Sequence, residues 1–174
     1  GISHDLRTPL TRLKLQLAML NQKDLSKKMS DDIDEMEKML NDYLQFAKTQ
    51  AKENTSTINL SDLFVEIKKN IKNENLTISN SEETILKGRA SSLKRCFENV
   101  IQNGLTYGKK VYVKIQKGTN IVTIFIEDDG PGVPEDQYKN VMKPFVRLDK
   151  SRNLNQSGVG LGLAIVEDIV NSHG

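Results

Sequence analysis

Leucines recur near the beginning of the chain with the spacing of a coiled-coil seam. Leu6, Leu10, Leu13, Leu17 and Leu20 are separated by four, three, four and three positions. Apolar residues at this spacing lie along one face of a helix. The pattern therefore predicts a helix whose leucine face packs against a partner.

A second seam with the same spacing follows, and it predicts a second helix. Because the two helices are close in sequence, we expect them to fold back as an antiparallel hairpin. A lone helical hairpin buries little surface, so we expect two copies of the chain to form a four-helix bundle, which makes the protein a homodimer. The alternative is that both seams form the core of a monomer. The second seam consists of Met29, Ile33, Met36, Leu40, Tyr43 and Ala47.

The rest of the chain has the pattern of a mixed domain of helices and strands. Residues 51–57 are polar and lack an apolar stripe, so they are predicted to be a linker between a helical part, 1–50, and a mixed part, 58–174. Helices are expected after caps at Ser61 and at Ser91 or Ser92, and from about residue 161 onward. Because strands and helices do not alternate regularly, we expect an α+β sandwich with helices on one face of a mixed sheet. The predicted strands are 76–78, 84–87, 111–116 and 121–127.

Composition excludes several classes of function. The 174 residues include 25 Lys and Arg against 23 Asp and Glu, a net charge of +2, and contain no Trp. Neither the charge nor the few aromatic residues favour binding to nucleic acid. No apolar run approaches the ~20 residues of a membrane span. The sequence begins at Gly1 rather than Met, so we expect it to be part of a longer protein.

The first candidate for a reactive side chain is His4, which is adjacent to Asp5 and lies one helical turn before Thr8. Histidine has an ordinary pKa near neutrality, so much of it is an uncharged nucleophile at pH 7. An adjacent carboxylate can hold the ring in one tautomer and accept its proton. His4 also lies off the leucine seam, toward solvent. Taken alone, these features favour an ordinary surface histidine.

A glycine-rich turn follows the last predicted strand directly. Asp128 is placed to accept a hydrogen bond from the amino group of an adenine ring. Gly130 and Gly132 allow such a ring to approach the backbone closely. The alternative for this motif alone is an ordinary acidic turn.

A second glycine run, Gly158, Gly160 and Gly162, opens the final helix. The backbone amides of such a loop and the start of the helix behind it can hold a polyphosphate. Asn99 and Asn103 are four positions apart on a predicted helix, so both amides lie on one face. Amide and phosphate oxygens together suit Mg²⁺. The alternative is a pair of ordinary surface amides.

Two further features are candidates for nucleotide contacts. Tyr107, one turn after the paired asparagines, is placed to pack against a base. Residues 146–157 form a polar, nonperiodic loop of the kind that often covers an active site. Its cations, beginning with Arg147, are suited to neutralise phosphate charge. A mobile surface loop has the same composition.

Taken in order, these segments resemble the sensor histidine kinase family of bacterial two-component systems. The extension Thr11-Arg12-Leu13 and the residues 144–147 are similar to the EnvZ-type osmosensor subgroup. Thr106 departs from the family pattern, since Lys or Arg is usual there, and Met142 replaces a common Phe. The matching segments are 3–10 for the H box, 99–107 for the N box, 128–132 for the G1 box, 143–145 for the F box and 158–162 for the G2 box.

The resemblance implies a dimeric phosphoacceptor bundle in residues 1–50 and a Bergerat-type ATP-binding sandwich in residues 58–174. It implies His4 as phosphoacceptor, Asp5 as its activating neighbour and Thr8 as a phosphatase residue. The cofactors would be ATP and Mg²⁺, with the metal held by Asn99 and Asn103. The other nucleotide contacts would come from Tyr107, Asp128, Gly130, Gly132, Arg147, Gly158, Gly160 and Gly162.

The same resemblance implies the partners and the location of the protein. The partner would be the receiver domain of a response regulator, of the winged-helix OmpR-like class. The chain would be the cytoplasmic portion of a bacterial inner-membrane protein. Three other functions remain open: an ATPase of the gyrase, Hsp90 or MutL type, a protein that mainly dephosphorylates its regulator, and a noncatalytic dimeric scaffold.

Overall fold

The chain divides into two compact units, Gly1–Ala51 and Lys52–Gly174, in a computed structural model. The structure describes residues 2–19, 23–48, 53–80, 83–148 and 160–173. The expected combination of a helical hairpin with an α+β unit is confirmed.

The first unit is the hairpin of α1 (Ile2–Ala18) and α2 (Lys23–Lys48). Leu10 and Leu17 of α1 are buried with Ile33 of α2, and Leu40 packs against them. The second and fourth leucines of the α1 seam are thus buried between the two helices of the hairpin. The register is also held by Lys14, whose Nζ lies 2.5 Å from Asp34 Oδ1 and 2.6 Å from Glu37 Oε2.

The second unit combines a three-stranded sheet, a two-stranded pair and several helices. The sheet has the order β2-β4-β5, with β2 parallel to β4 and β4 antiparallel to β5; β1 and β3 form a separate antiparallel pair. The elements are β1 (Ser56–Asn59), α3 (Leu60–Ile71), β2 (Leu76–Asn80), β3 (Ile85–Gly88), α4 (Ala90–Tyr107), β4 (Val111–Lys117), β5 (Val122–Asp128), α5 (Tyr138–Val141) and α6 (Gly162–His173).

The core of the second unit lies on one face of the three-stranded sheet. Val111, Val113 and Ile115 of β4 are buried, whereas the residues between them are exposed. This alternation is the period-2 pattern of a strand with one covered face. Phe64 of α3 and Ile101 of α4 belong to the same buried cluster, so these two helices cover that face.

The predicted helix caps at Ser61, Ser91 and Ser92 are wrong. Helix α3 begins at Leu60, and its cap is Asn59, whose Oδ1 accepts a hydrogen bond from Ser61 N at 2.9 Å. Ser91 and Ser92 lie in the first turn of α4, which begins at Ala90. A serine inside the first turn supplies amide donors instead of receiving them.

The amides at the start of α4 are satisfied by Glu53, a residue far away in sequence. Its Oε1 accepts from Ser91 N at 2.7 Å, and its Oε2 accepts from Ser92 N at 3.0 Å and Ser92 Oγ at 2.6 Å. A carboxylate there also opposes the positive end of the helix dipole. Glu53 and the first residues of β1, Ser56 and Thr57, lie within the predicted linker, so that segment contributes contacts to the second unit.

Replacing Glu53 with Ala is expected to lower the free energy of unfolding of the second unit by about 1 kcal/mol, the usual effect of losing a helix cap. Burial raises the pKa of Glu53, but the hydrogen bonds from Ser92 and Ser91 outweigh it, and the pKa is lowered overall. A lowered pKa means that the stabilisation is present above the ordinary Glu pKa of about 4.3 and is lost as the pH falls through the folded-state value.

Urea unfolding of the full chain from pH 7 down to about pH 2.5, below the ordinary Glu pKa, measures this contribution. The difference in the free energy of unfolding between parent and Glu53→Ala should shrink toward the acid end of the series. Glu74→Ala removes an exposed carboxylate from a turn and serves as the control. Equal stability of parent and Glu53→Ala at pH 7 would show that Glu53 does not cap α4.

Candidate functional site

The end of α4 lies unusually close to the edge formed by β4 and β5. A Cβ atom on Gly104 would lie 2.9 Å from Val111 Cγ2 and 3.2 Å from Asp128 Cβ. A Cβ atom on Gly130 would lie 3.0 Å from Tyr107 O. The backbone of the glycine turn therefore touches the last turn of α4, and the structure brings Tyr107, Asp128 and Gly130 together.

Asp128 at the end of β5 and Asp129 immediately after it make different contacts. Asp128 Oδ1 accepts from Gly130 N at 2.8 Å, which folds the glycine turn back on the strand. Asp129 Oδ1 accepts from Lys109 N at 2.6 Å and from Lys110 N at 2.8 Å. These amides lower the pKa of Asp129, that of Lys110 most strongly. Sequence reasoning missed Asp129, although its place beside Asp128 was a visible signal.

Asn99 lies where α4 meets the start of α6. Its Nδ2 donates to Arg95 O at 2.9 Å, and a Cβ atom on Gly162 would lie 3.4 Å from its Oδ1. Asn103 lies one turn further along α4 and is half-buried. The amide oxygen of Asn99 is thus next to the first residue of α6, the end at which a helix attracts anions.

The second glycine run is joined to the predicted F-box turn. Phe145 N donates to Gly160 O at 2.9 Å, and Phe145 itself has a positive φ of 66°. Gly160 has a φ of 75°, and a Cβ atom there would lie 2.9 Å from Val146 O. This contact between two separate motifs was not predicted from the sequence, since nothing in the spacing of the residues indicates it.

The remaining predicted residues are placed as follows. Gly132 has a φ of 73°, and no atom of the described residues lies within 4 Å of its ideal Cβ position. Arg147 is exposed. Gly158 and the predicted covering loop beyond residue 148 lie outside the described residues.

His4, Asp5 and Thr8 all lie in α1, which is helical without a break from Ile2 to Ala18. Their side chains lie outside the part of the chain that the structure describes. Among the described residues, no helix is long and apolar enough to cross a bilayer. The described parts also contain no group of three or more His, Cys, Asp or Glu side chains that could hold a metal ion.

Both units match families of known proteins. Residues 88–174 match the family described as histidine kinase-, DNA gyrase B- and HSP90-like ATPase. Residues 1–52 match the His Kinase A phospho-acceptor domain. The chain belongs to the sensor histidine kinases. The resemblance drawn from the sequence motifs is therefore confirmed.

The histidine kinase has relatives that are similar over its whole length. Sensor histidine kinase GtrS of Pseudomonas aeruginosa is 34% identical over 176 residues, which cover 100% of this chain and 36% of GtrS. Sensor histidine kinase CpxA of Escherichia coli is 34% identical over 189 residues, covering 99% of this chain and 41% of CpxA. The chain thus spans well under half the length of these relatives.

Solved structures of histidine kinases share the fold. Full-length ShkA in complex with AMPPNP has a TM-score of 0.71 at 20% identity, covering 98% of this chain and 40% of ShkA. The histidine kinase domain of the E. coli osmosensor EnvZ has a TM-score of 0.52 at 29% identity, covering 71% of this chain and 79% of that domain.

Gly160→Ala is expected to destabilise the second unit of the kinase by about 1–2 kcal/mol, because an L side chain is strained at positive φ. The added methyl would also press on the carbonyl oxygen of Val146. Gly162→Ala is the matched control, since its methyl would meet Asn99 Oδ1 at an ordinary 3.4 Å. Thermal unfolding of both variants measures the difference, and equal midpoints would contradict the strained geometry at Gly160.

Proposed function

We propose that the chain binds ATP and Mg²⁺ in its second unit and transfers the γ-phosphoryl group to His4. The observation that carries the proposal is the position of α4. Its Asn99 lies beside the start of α6, while its last turn touches the glycine turn that follows Asp128. One helix thereby links a carboxylate suited to adenine with a helix start suited to phosphates.

The adenine end of the proposed site is built around Asp128. With Oδ1 accepting from Gly130 N, the second carboxylate oxygen is available to accept from the amino group of the base. Gly130 and Gly132 would admit the ring against the backbone, and Tyr107, 41% exposed, would pack against it. A flat ring held between backbone and an aromatic side chain loses contact with water on both faces.

The phosphate end is proposed to lie at the start of α6. Gly158, Gly160 and Gly162 would offer backbone amides, and Arg147 would add a positive charge. Asn99 and Asn103 would hold Mg²⁺ through their amide oxygens, with phosphate oxygens and water completing the shell. The hard oxygen donors of these amides suit this ion, which would neutralise charge developing on the phosphates.

The proposed reaction is a direct phosphoryl transfer. A neutral imidazole nitrogen of His4 attacks the γ-phosphorus, the bond to the β–γ bridging oxygen breaks, and ADP departs with the electron pair. Asp5 accepts the proton from the other ring nitrogen. The product is a phosphoramidate that can pass its phosphoryl group to an aspartate of a response regulator, which we place in the OmpR-like class.

Residues 1–50 are proposed as the dimerisation and phosphoacceptor part, joined by the linker 51–57 to the catalytic part 58–174. The homodimer is supported by seam residues that the hairpin leaves uncovered: Leu13 is 46%, Met29 42% and Met36 53% exposed. A second copy would cover these side chains in a four-helix bundle. We further propose that the chain is the cytoplasmic portion of an inner-membrane sensor.

His4→Gln is expected to abolish phosphorylation and to leave ATP affinity unchanged, because the proposed nucleotide residues belong to the other unit. The measurement is incubation with γ-labelled ATP and Mg²⁺, followed by acid and by base. Label lost in acid and kept in base identifies phosphohistidine. His173→Gln is the matched control and should retain its label.

Three results would contradict this assignment. Label that persists in His4→Gln would place the acceptor elsewhere. ATP hydrolysis without any labelled protein would favour an ATPase of the gyrase type. Failure of the parent to bind AMP-PNP would favour a noncatalytic scaffold.

A second activity, dephosphorylation of the regulator, is supported by the continuity of α1 from Ile2 to Ala18. Thr8 lies one turn after His4 on this helix, so a regulator bound over His4 would also meet Thr8. We propose that the Thr8 hydroxyl aligns a water for attack on the phosphoaspartate of the regulator.

Thr8→Ala is expected to keep autophosphorylation and transfer while losing most of the phosphatase activity, because Asp5 and not Thr8 receives the proton of His4. Decay of a phosphorylated regulator in the presence of the chain and ADP measures the effect. Thr11→Ala, a hydroxyl on the same helix, is the control. Equal decay with parent and Thr8→Ala would refute the role in positioning water.

A further inference from the structure

The turn between α4 and β4 is held against the glycine turn after β5 by hydrogen bonds to one residue, Asp129. Asp129 Oδ1 accepts from both Lys109 N and Lys110 N, at 2.6 and 2.8 Å. In return, Asp129 N donates to Lys110 O at 3.3 Å. Three hydrogen bonds therefore join the residue after Asp128 to the segment after Tyr107.

The Asp129 side chain is exposed, but on one side its carboxylate lies close to Gly108. A Cβ atom on Gly108 would lie 2.9 Å from Asp129 Oδ1 and 3.1 Å from Gly130 N. The carboxylate thus occupies the position that a side chain at residue 108 would need. Both accepted hydrogen bonds converge on the same oxygen, so the position of that one atom contributes, with the backbone bond from Asp129 N to Lys110 O, to the separation between the two turns.

The two turns carry the proposed adenine contacts. Tyr107 immediately precedes Gly108, and Asp128 immediately precedes Asp129. Asp128 Oδ1 is committed to Gly130 N, so Asp128 is not itself bonded through that oxygen to the turn after α4. A displacement of Asp129 Oδ1 would change the distance between Tyr107 and Asp128, and a base held between them would lose its fit.

We propose that Asp129 is a positioning residue for the nucleotide, which holds the end of α4 at a fixed distance from Asp128. The inference rests on the proposed function, because it assigns Asp129 to the adenine end of the same site. Asp129 acts through Tyr107 and Asp128 and does not itself contact the base. This role requires an acceptor oxygen at one position; the negative charge strengthens the two hydrogen bonds but does not set where that oxygen lies.

Two variants separate geometry from charge. Asp129→Asn keeps an Oδ1 acceptor at the same distance from the backbone but removes the charge. Asp129→Glu keeps the charge but lengthens the side chain by one methylene, which moves the acceptor oxygen away from its position between Lys109 N and Lys110 N. Glu127→Ala removes an exposed carboxylate two residues earlier and is the matched control.

The experiment measures the affinity of the full chain for AMP-PNP with Mg²⁺ by calorimetry, with thermal unfolding of each variant alongside. Asp129→Asn and Glu127→Ala should bind within about threefold of the parent, whereas Asp129→Glu should bind about tenfold more weakly, because the turns that carry Tyr107 and Asp128 would no longer be held at the same separation. The unfolding midpoint of Asp129→Asn should stay close to that of the parent, so that retained binding reports rescue by the acceptor oxygen.

Several outcomes would overturn the inference. Binding by Asp129→Glu as tight as that of the parent would show that the position of the oxygen is unimportant. A greater loss in Asp129→Asn than in Asp129→Glu would show that charge is what matters. Failure of the parent itself to bind AMP-PNP would overturn the proposed function, and the role of Asp129 with it.

Discussion

The close packing of α4 against the ends of β4 and β5 is the constraint on which the candidate site depends. Gly104 has room for no side chain without displacing Val111 or Asp128. Protein interiors are packed so tightly that such a displacement cannot be absorbed locally. A side chain at this position would move the whole end of the helix, and with it Tyr107, away from the glycine turn.

The elements of the fold were largely predictable because burial patterns are local. Val111, Val113 and Ile115 alternate with exposed residues, and they form a strand with one buried face. Leu10 and Leu17 are spaced one heptad apart, and both are buried in the hairpin. Helix starts were not predictable in the same way. Glu53 satisfies the amides of α4 from nearly forty residues away, and no local pattern reports such a partner.

The same distinction between local patterns and long-range contacts applies to the candidate site. Asn99, Asn103, Asp128 and the glycine runs could be chosen from residue type and spacing, because each motif is continuous in sequence. The contacts that join the motifs could not be predicted in this way. Phe145 adopts a positive φ and donates to Gly160 across a long loop, a backbone conformation that the preference of a Phe residue argues against. Such strain persists only when surrounding contacts impose it.

Helix α4 is held by a carboxylate at each end, and the two contacts differ physically. At its start, Glu53 accepts from helix amides, so its charge also opposes the positive end of the dipole. Beyond its end, Asp129 accepts from the amides of Lys109 and Lys110, which belong to the following turn. A negative charge is unfavourable near the carboxyl end of a helix. The contact is therefore explained by the two amides it orders, which bind the ionised carboxylate and lower the pKa of Asp129. The first carboxylate stabilises the helix itself, and the second fixes where that helix ends relative to the sheet.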